Sequence, residues 1–262
     1  MIVISKKILK SLRPLAHTIS GREHAYFASF SDVRELGLIP ERVAFSRYGE
    51  EWMPDISGER LTIFIAGNPG AGKSFLSKDL INLFPQNTDV LLFTALEEED
   101  GNFRNSEHPV HKIRMEPENL SRITLSAIRE RSHNPVLLFD DVDKIRAGAV
   151  EKATYKILED ALANGRGHRK HDGRGDIHVI ATSHALNDYK KTKYTLENSN
   201  YIALFPQSTT YAQMERLFTK LGLSKDLCRE MYDKGAYEDV RRIIIHKTTP
   251  MYIISGSEIR LI

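Results

Sequence analysis

Cysteine is nearly missing from this chain: Cys228 stands alone among 262 residues. That excludes an internal disulfide framework and every zinc site built on paired cysteines, and it suits a reducing compartment. Long apolar runs are missing too, since none approaches the roughly 20 residues of a membrane-crossing helix. The short apolar start before Lys6 and Lys7 falls below the core of a secretory signal, so a non-secreted protein is expected. Net charge is almost absent, at +2 from 37 Lys and Arg against 35 Asp and Glu. A polyanionic partner would have to be met by a local patch and not by the field of the whole chain. No internal repeat and no long low-complexity segment interrupts the sequence. What remains, 41% hydrophobic and 27% charged residues, is the composition of a globular protein with a sizeable core.

From Leu61 onward, short β-branched or aromatic runs alternate with amphipathic stretches, the pattern of a parallel sheet covered by helices. Strands are predicted over 61–66, 90–94, 135–139, 177–181 and 201–205, each apolar nearly throughout, as strands buried on both faces should be. Between and after them, spacings of three and four predict helices over 73–83, 120–131, 150–163, 211–221 and 225–233. Residues 1–60 carry Tyr26, Phe27, Phe30, Val43 and Phe45 and are read as an embellishment packed on the core. Apolar runs at 243–245, 251–254 and 259–262 predict a small C-terminal β element.

Gly67-Asn68-Pro69-Gly70-Ala71-Gly72-Lys73-Ser74 fits G-x-x-x-x-G-K-[ST] between a predicted strand and a predicted helix, the context the motif needs. The glycines let successive N–H groups turn toward phosphate oxygens, and the helix start adds the positive end of its dipole. Lys73 is expected to bridge the β- and γ-phosphates of ATP and the Ser74 hydroxyl to hold Mg²⁺, with Phe75 following in the nucleotide-binding stretch. The expected fold is α/β, a three-layer P-loop NTPase of the RecA/ASCE-like kind with a mainly parallel central sheet. Its ATPase domain would span 61–262.

Pro135 to Phe139 is an apolar strand ending in Asp140 and Asp141. Asp140 is placed to hold the metal, and Asp141 to orient and deprotonate the attacking water. Capping of the following helix is the alternative for both, and for Asp143 it is the preferred reading. The later strand, from Ile177, ends in Thr182-Ser183-His184, where His184 or Thr182 would sense the γ-phosphate, with capping of a turn as the alternative.

This ordered series resembles the FtsK/HerA superfamily, most closely the poxvirus-type genome packaging ATPases of large nucleocytoplasmic DNA viruses. Its carriers run from Ile63 to Ser74, through Leu91 to Phe93 and the acidic Glu97 to Asp100, then Ile113 to Met115 and Leu137 to Val142. They continue through Asn164 to His168, Ile177 to Ser183 and Leu196 to Ile202. The chain departs from that family at His184, where Gln is usual, and at Glu197, where Arg is common. The resemblance implies a homohexameric ring that threads double-stranded DNA into a capsid, contacting capsid or inner-membrane virion proteins. It also implies residence in the host cytoplasm at viral assembly sites or in the virion.

Between Asn164 and Gly175 lie Arg166, His168, Arg169, Lys170, His171 and Arg174. Arg166, at the family's Gly-Arg position, is the candidate to act on a neighbouring subunit's γ-phosphate. Contact with DNA phosphates or a solvated loop are the alternatives. Tyr189 to Tyr194 interleaves cations with aromatics, a pattern suited to backbone phosphates or to an ordinary charged turn. Lys6, Lys7, Lys10 and Arg13 read as a solvated helix face. Trp52 reads as a packing residue in preference to an adenine platform. Two other functions compete with a DNA motor: an AAA-type remodelling or assembly ATPase, and a small-molecule kinase. A guanine switch is excluded by the lack of an Asn/Thr-Lys-x-Asp motif.

Overall fold

Residues 1–57, 59–95, 103, 106–145, 148–167, 175–186, 192–238 and 240–262 are described by the computed structural model. Two compact units make up the chain: residues 1–59 with 203–262, and residues 60–202.

The first stretch of chain forms β1 (Ile2–Ser5), β2 (Arg13–Thr18), β3 (His24–Phe27), α1 (Phe30–Leu36), β4 (Val43–Phe45) and β5 (Trp52–Pro54). Antiparallel pairing orders four of these strands β1-β3-β2-β5. Helix α1 starts at a reciprocal cap between Ser29 and Asp32 and stops at Gly37, whose φ of 60° favours glycine. Trp52 is buried, and its indole N–H donates to the Ser257 carbonyl at 2.8 Å. It is therefore a core residue of this unit, as the sequence reading preferred.

Residues 60–202 carry the nucleotide motifs. Here β6 (Thr62–Ala66) leads through the glycine-rich turn into α2 (Lys73–Ile81), followed by β7 (Val90–Phe93) and β8 (Val110–Ile113). Next come α3 (Pro117–Ser121), α4 (Leu125–Arg131), β9 (Val136–Phe139), α5 (Ala149–Asn164), β10 (His178–Ser183), α6 (Lys193–Asn198) and the start of β11 (Tyr201–Leu204). The single helix expected over 120–131 is thus two. Thr124 breaks it, adopting an extended backbone and capping α4 by accepting the Ala127 N–H.

Parallel pairing orders the strands β6-β10-β9-β7-β8, giving the mostly parallel α/β sheet of a P-loop NTPase. Every residue of β6, β9 and β10 is buried. One face packs Leu137, Phe139, Val179 and Ala181 against Leu158, Ala161 and Leu162 of α5. Each such buried side chain larger than alanine contributes roughly 1.5–3 kcal/mol. On the other face, Phe84, just beyond α2, meets the His178 ring edge-on at 4.6 Å.

The chain then returns to the first unit through α7 (Tyr211–Lys220), α8 (Lys225–Tyr237), β12 (Ile243–His246), β13 (Tyr252–Ser255) and β14 (Glu258–Leu261). These last strands pair antiparallel with one another and with β4, so the expected terminal β element is present. Among the described residues, no helix is long and apolar enough to cross a membrane.

Candidate active site

The parallel registers bring three strand ends together. Thr182 lies opposite Ile65 and Ser183 opposite Ala66, while Ala181 lies opposite Phe139. The Gly67 N–H extends this pairing by donating to the Ser183 carbonyl at 3.1 Å. As a result, the turn after β6, the acids after β9 and the polar end of β10 share one edge of the sheet. This edge is the carboxyl end of the strands, where ligands of open α/β sheets bind. The acid-bearing strand does not adjoin the P-loop strand: β10 lies between them.

The turn itself is open and shaped by its glycines. Gly70 and Gly72 have φ values of 78° and 105°, a region that L side chains avoid. Asn68, Pro69 and Gly70 are exposed, and open space surrounds the position a Cβ would take at Gly70. Lys73 is only 8% exposed. Its ammonium donates to the Gly67 carbonyl at 3.0 Å and lies 3.6 Å from Asp141 Oδ1. Such an exposed glycine turn at a helix start, with a cation drawn beneath it, fits a polyphosphate tail. Ser74 is half-buried in the first turn of α2 and Phe75 is exposed.

Asp141 is the centre of the polar cluster. Its Oδ2 is 2.7 Å from His184 Nε2, and His184 Nδ1 is 3.4 Å from Lys73 Nζ. A lysine ammonium can only donate, so Nδ1 acts as acceptor and Nε2–H donates to the carboxylate. Asp141 also has a left-handed backbone, φ 49° and ψ 54°, which costs a non-glycine residue on the order of 1–2 kcal/mol. Its N–H donates to Thr182 Oγ1 at 2.8 Å, and that hydroxyl in turn donates to Asp140 Oδ1 at 3.0 Å. Asp143, read from sequence as a cap, accepts the His184 N–H at 3.0 Å. Lys73, Asp140, Asp141 and His184 therefore meet in one cluster. Thr182, considered from sequence as a phosphate sensor or a turn cap, bonds to both acids.

Arg166 does not join this cluster within the chain. It is exposed just beyond α5, where its carbonyl accepts from the Arg129 guanidinium at 3.3 Å. Close by, the buried Arg60 donates to the carbonyls of Ile177 at 2.7 Å, Leu162 at 3.1 Å and Ala161. Burial lowers the Arg60 pKa to about 10, against the raising effect of Asp176 and with a further lowering from Arg166 and Arg129. Arg60 precedes β6 and Ile177 precedes β10, so this group occupies the amino end of the strands, roughly 15 Å of strand away from the phosphate turn. The expectations placed on Glu97 to Asp100, on His168 to Arg174 and on Tyr189 to Lys191 fall outside the described residues.

A model of the ATPase family associated with various cellular activities (AAA) matches residues 63–197. A protein of Sputnik virophage, described as uncharacterized protein V3, is 27% identical over 255 residues, covering 93% of each chain. Among solved structures, the genome packaging NTPase B204 from Sulfolobus turreted icosahedral virus 2, in complex with AMPPCP, is similar at 12% identity and a TM-score of 0.41. That likeness covers 77% of this chain and 96% of B204. The cytoplasmic domain of the Thermomonospora curvata type VII secretion ATPase EccC is similar at 14% identity and a TM-score of 0.45, over 93% of this chain and 28% of EccC.

Proposed function

The chain belongs to the ATPase family associated with various cellular activities (AAA), and we infer that it is an ATP-hydrolysing motor that moves double-stranded DNA. The observation that carries hydrolysis is the contact of Asp141 with both Lys73 and His184 at the mouth of the glycine turn. The glycine-rich turn from Gly67 to Gly72 and the Lys73 ammonium grip the triphosphate, while Phe75 flanks the nucleotide. Ser74 and Asp140 would hold Mg²⁺, which would neutralise phosphate charge. Asp141 takes the proton of the attacking water, with His184 fixing the carboxylate from behind. Arg166, exposed at the other end of the strands, is left to act on a neighbour's nucleotide within a homohexameric ring.

The DNA substrate and the packaging of a viral genome rest on the ordered resemblance of Ile63 to Ile202 to the poxvirus-type packaging ATPases. Likeness to a virophage protein across 93% of the chain supports the viral setting, at assembly sites or in the virion, with capsid or inner-membrane virion proteins as further partners. Family membership alone equally suits a polypeptide remodeller. ATP turnover titrated with double-stranded DNA separates the two. A DNA motor is stimulated, and the stimulation falls steeply with salt as counterion release weakens binding. Turnover indifferent to DNA at every salt concentration removes the motor and leaves the remodeller.

A further inference from the structure

Thr182 is fully buried, and a buried hydroxyl is costly unless its bonding capacity is used. Here it is used on the two acids. The O–H donates to Asp140 Oδ1 at 3.0 Å, with Asp141 Oδ1 at 3.4 Å, and the oxygen accepts the Asp141 N–H at 2.8 Å. We propose that Thr182 is a positioning residue, whose hydroxyl sets the angle between the metal-holding carboxylate of Asp140 and the water-activating carboxylate of Asp141.

The backbone shows why a side chain is needed at this point. The Asp140 N–H still belongs to the sheet, donating to the Phe93 carbonyl at 2.8 Å. One residue later the chain turns into the left-handed region, and the Asp141 N–H points across to β10. Only a hydroxyl at position 182 meets it there. Without that acceptor, Asp141 either keeps an unpaired N–H or relaxes to an ordinary backbone conformation, which swings its carboxylate away from Lys73 and His184. Thr182 thus acts through the acids and not on the nucleotide, a role distinct from sensing the γ-phosphate.

This inference rests on the reading of Asp140 and Asp141 as the acids of an ATPase, so its test has one readout that needs no nucleotide. Thr182→Val keeps the shape and removes the hydroxyl, whereas Thr182→Ser keeps the hydroxyl. In nucleotide-free protein, residue-resolved amide exchange should speed up at Asp141 about tenfold or more in the valine variant, the equivalent of one lost hydrogen bond. Exchange at Phe139 and Val142 should stay put, and the serine variant should match wild type. In ATP turnover, kcat should fall by about tenfold or more in the valine variant with KM little changed, and serine should restore it. Unchanged Asp141 exchange in the valine variant overturns the proposal, as does a serine variant as impaired as the valine one. If the valine variant fails to fold, the serine variant alone decides, by retaining or losing turnover. A wild-type protein without ATP turnover defeats the ATPase reading instead, and amide exchange still judges the Thr182 contact.

Discussion

The two ends of the parallel sheet both collect buried charge, yet they use it in opposite ways. At the carboxyl end, Lys73, Asp140, Asp141, Thr182 and His184 bond chiefly to one another's side chains, beside an exposed glycine turn. At the amino end, the Arg60 guanidinium is consumed by main-chain carbonyls of Ala161, Leu162 and Ile177. It bonds to carbonyls of the C-terminal turn of α5 and ties that turn to the entry of β10. Burial of a charge therefore does not mark an active site. What marks it is a set of mutually bonded side chains beside an exposed ligand cradle.

Substitutions at the two ends should separate catalysis from stability. Asp141→Asn keeps the shape but replaces one of two accepting oxygens by a donor and removes the proton acceptor, so kcat should drop by about a thousandfold. Nucleotide binding and the melting temperature should remain near wild type, as equilibrium titration and calorimetry would show. A variant that still turns over ATP at the parental rate would mean that Asp141 is a structural acid like those elsewhere in the chain. Arg60→Met should do the reverse. Losing its three hydrogen bonds to main-chain carbonyls costs on the order of 3 kcal/mol, read as a lower denaturation midpoint, while turnover per folded molecule changes little. Loss of turnover without loss of stability in that variant would erase the distinction between the ends.

Local signals carried much of this arrangement. The glycine turn was legible because its residues are contiguous and flanked by one strand and one helix, and the strand carrying Asp140 because Val136 to Phe139 is unbroken and apolar. Strand β10 runs two residues further than its apolar stretch. Thr182 and Ser183 are polar, yet both are completely buried in register with Ile65 and Ala66, and hydrophobic patterning ends a strand where polarity begins. The insertion of β10 between β6 and β9 is a matter of long-range order, to which periodicity is blind. Arg60 escaped notice for a related reason: its partner Ile177 lies 117 positions away. The same holds for the association of residues 1–59 with 203–262, where sequence drew a single border at residue 60. Thr124, by contrast, is a local signal that was passed over. A capping threonine inside an amphipathic run divides α3 from α4.

The central claim is that the glycine turn and the acid pair form one ATP-hydrolysing centre joined through Lys73. Its most direct test is Mg²⁺-dependent ATP hydrolysis by wild-type protein beside Lys73→Ala, each checked for folding by melting. The account predicts turnover in the wild type and a loss of about a hundredfold or more in the variant, which stays folded. Equal turnover by the folded variant and the wild type would contradict it.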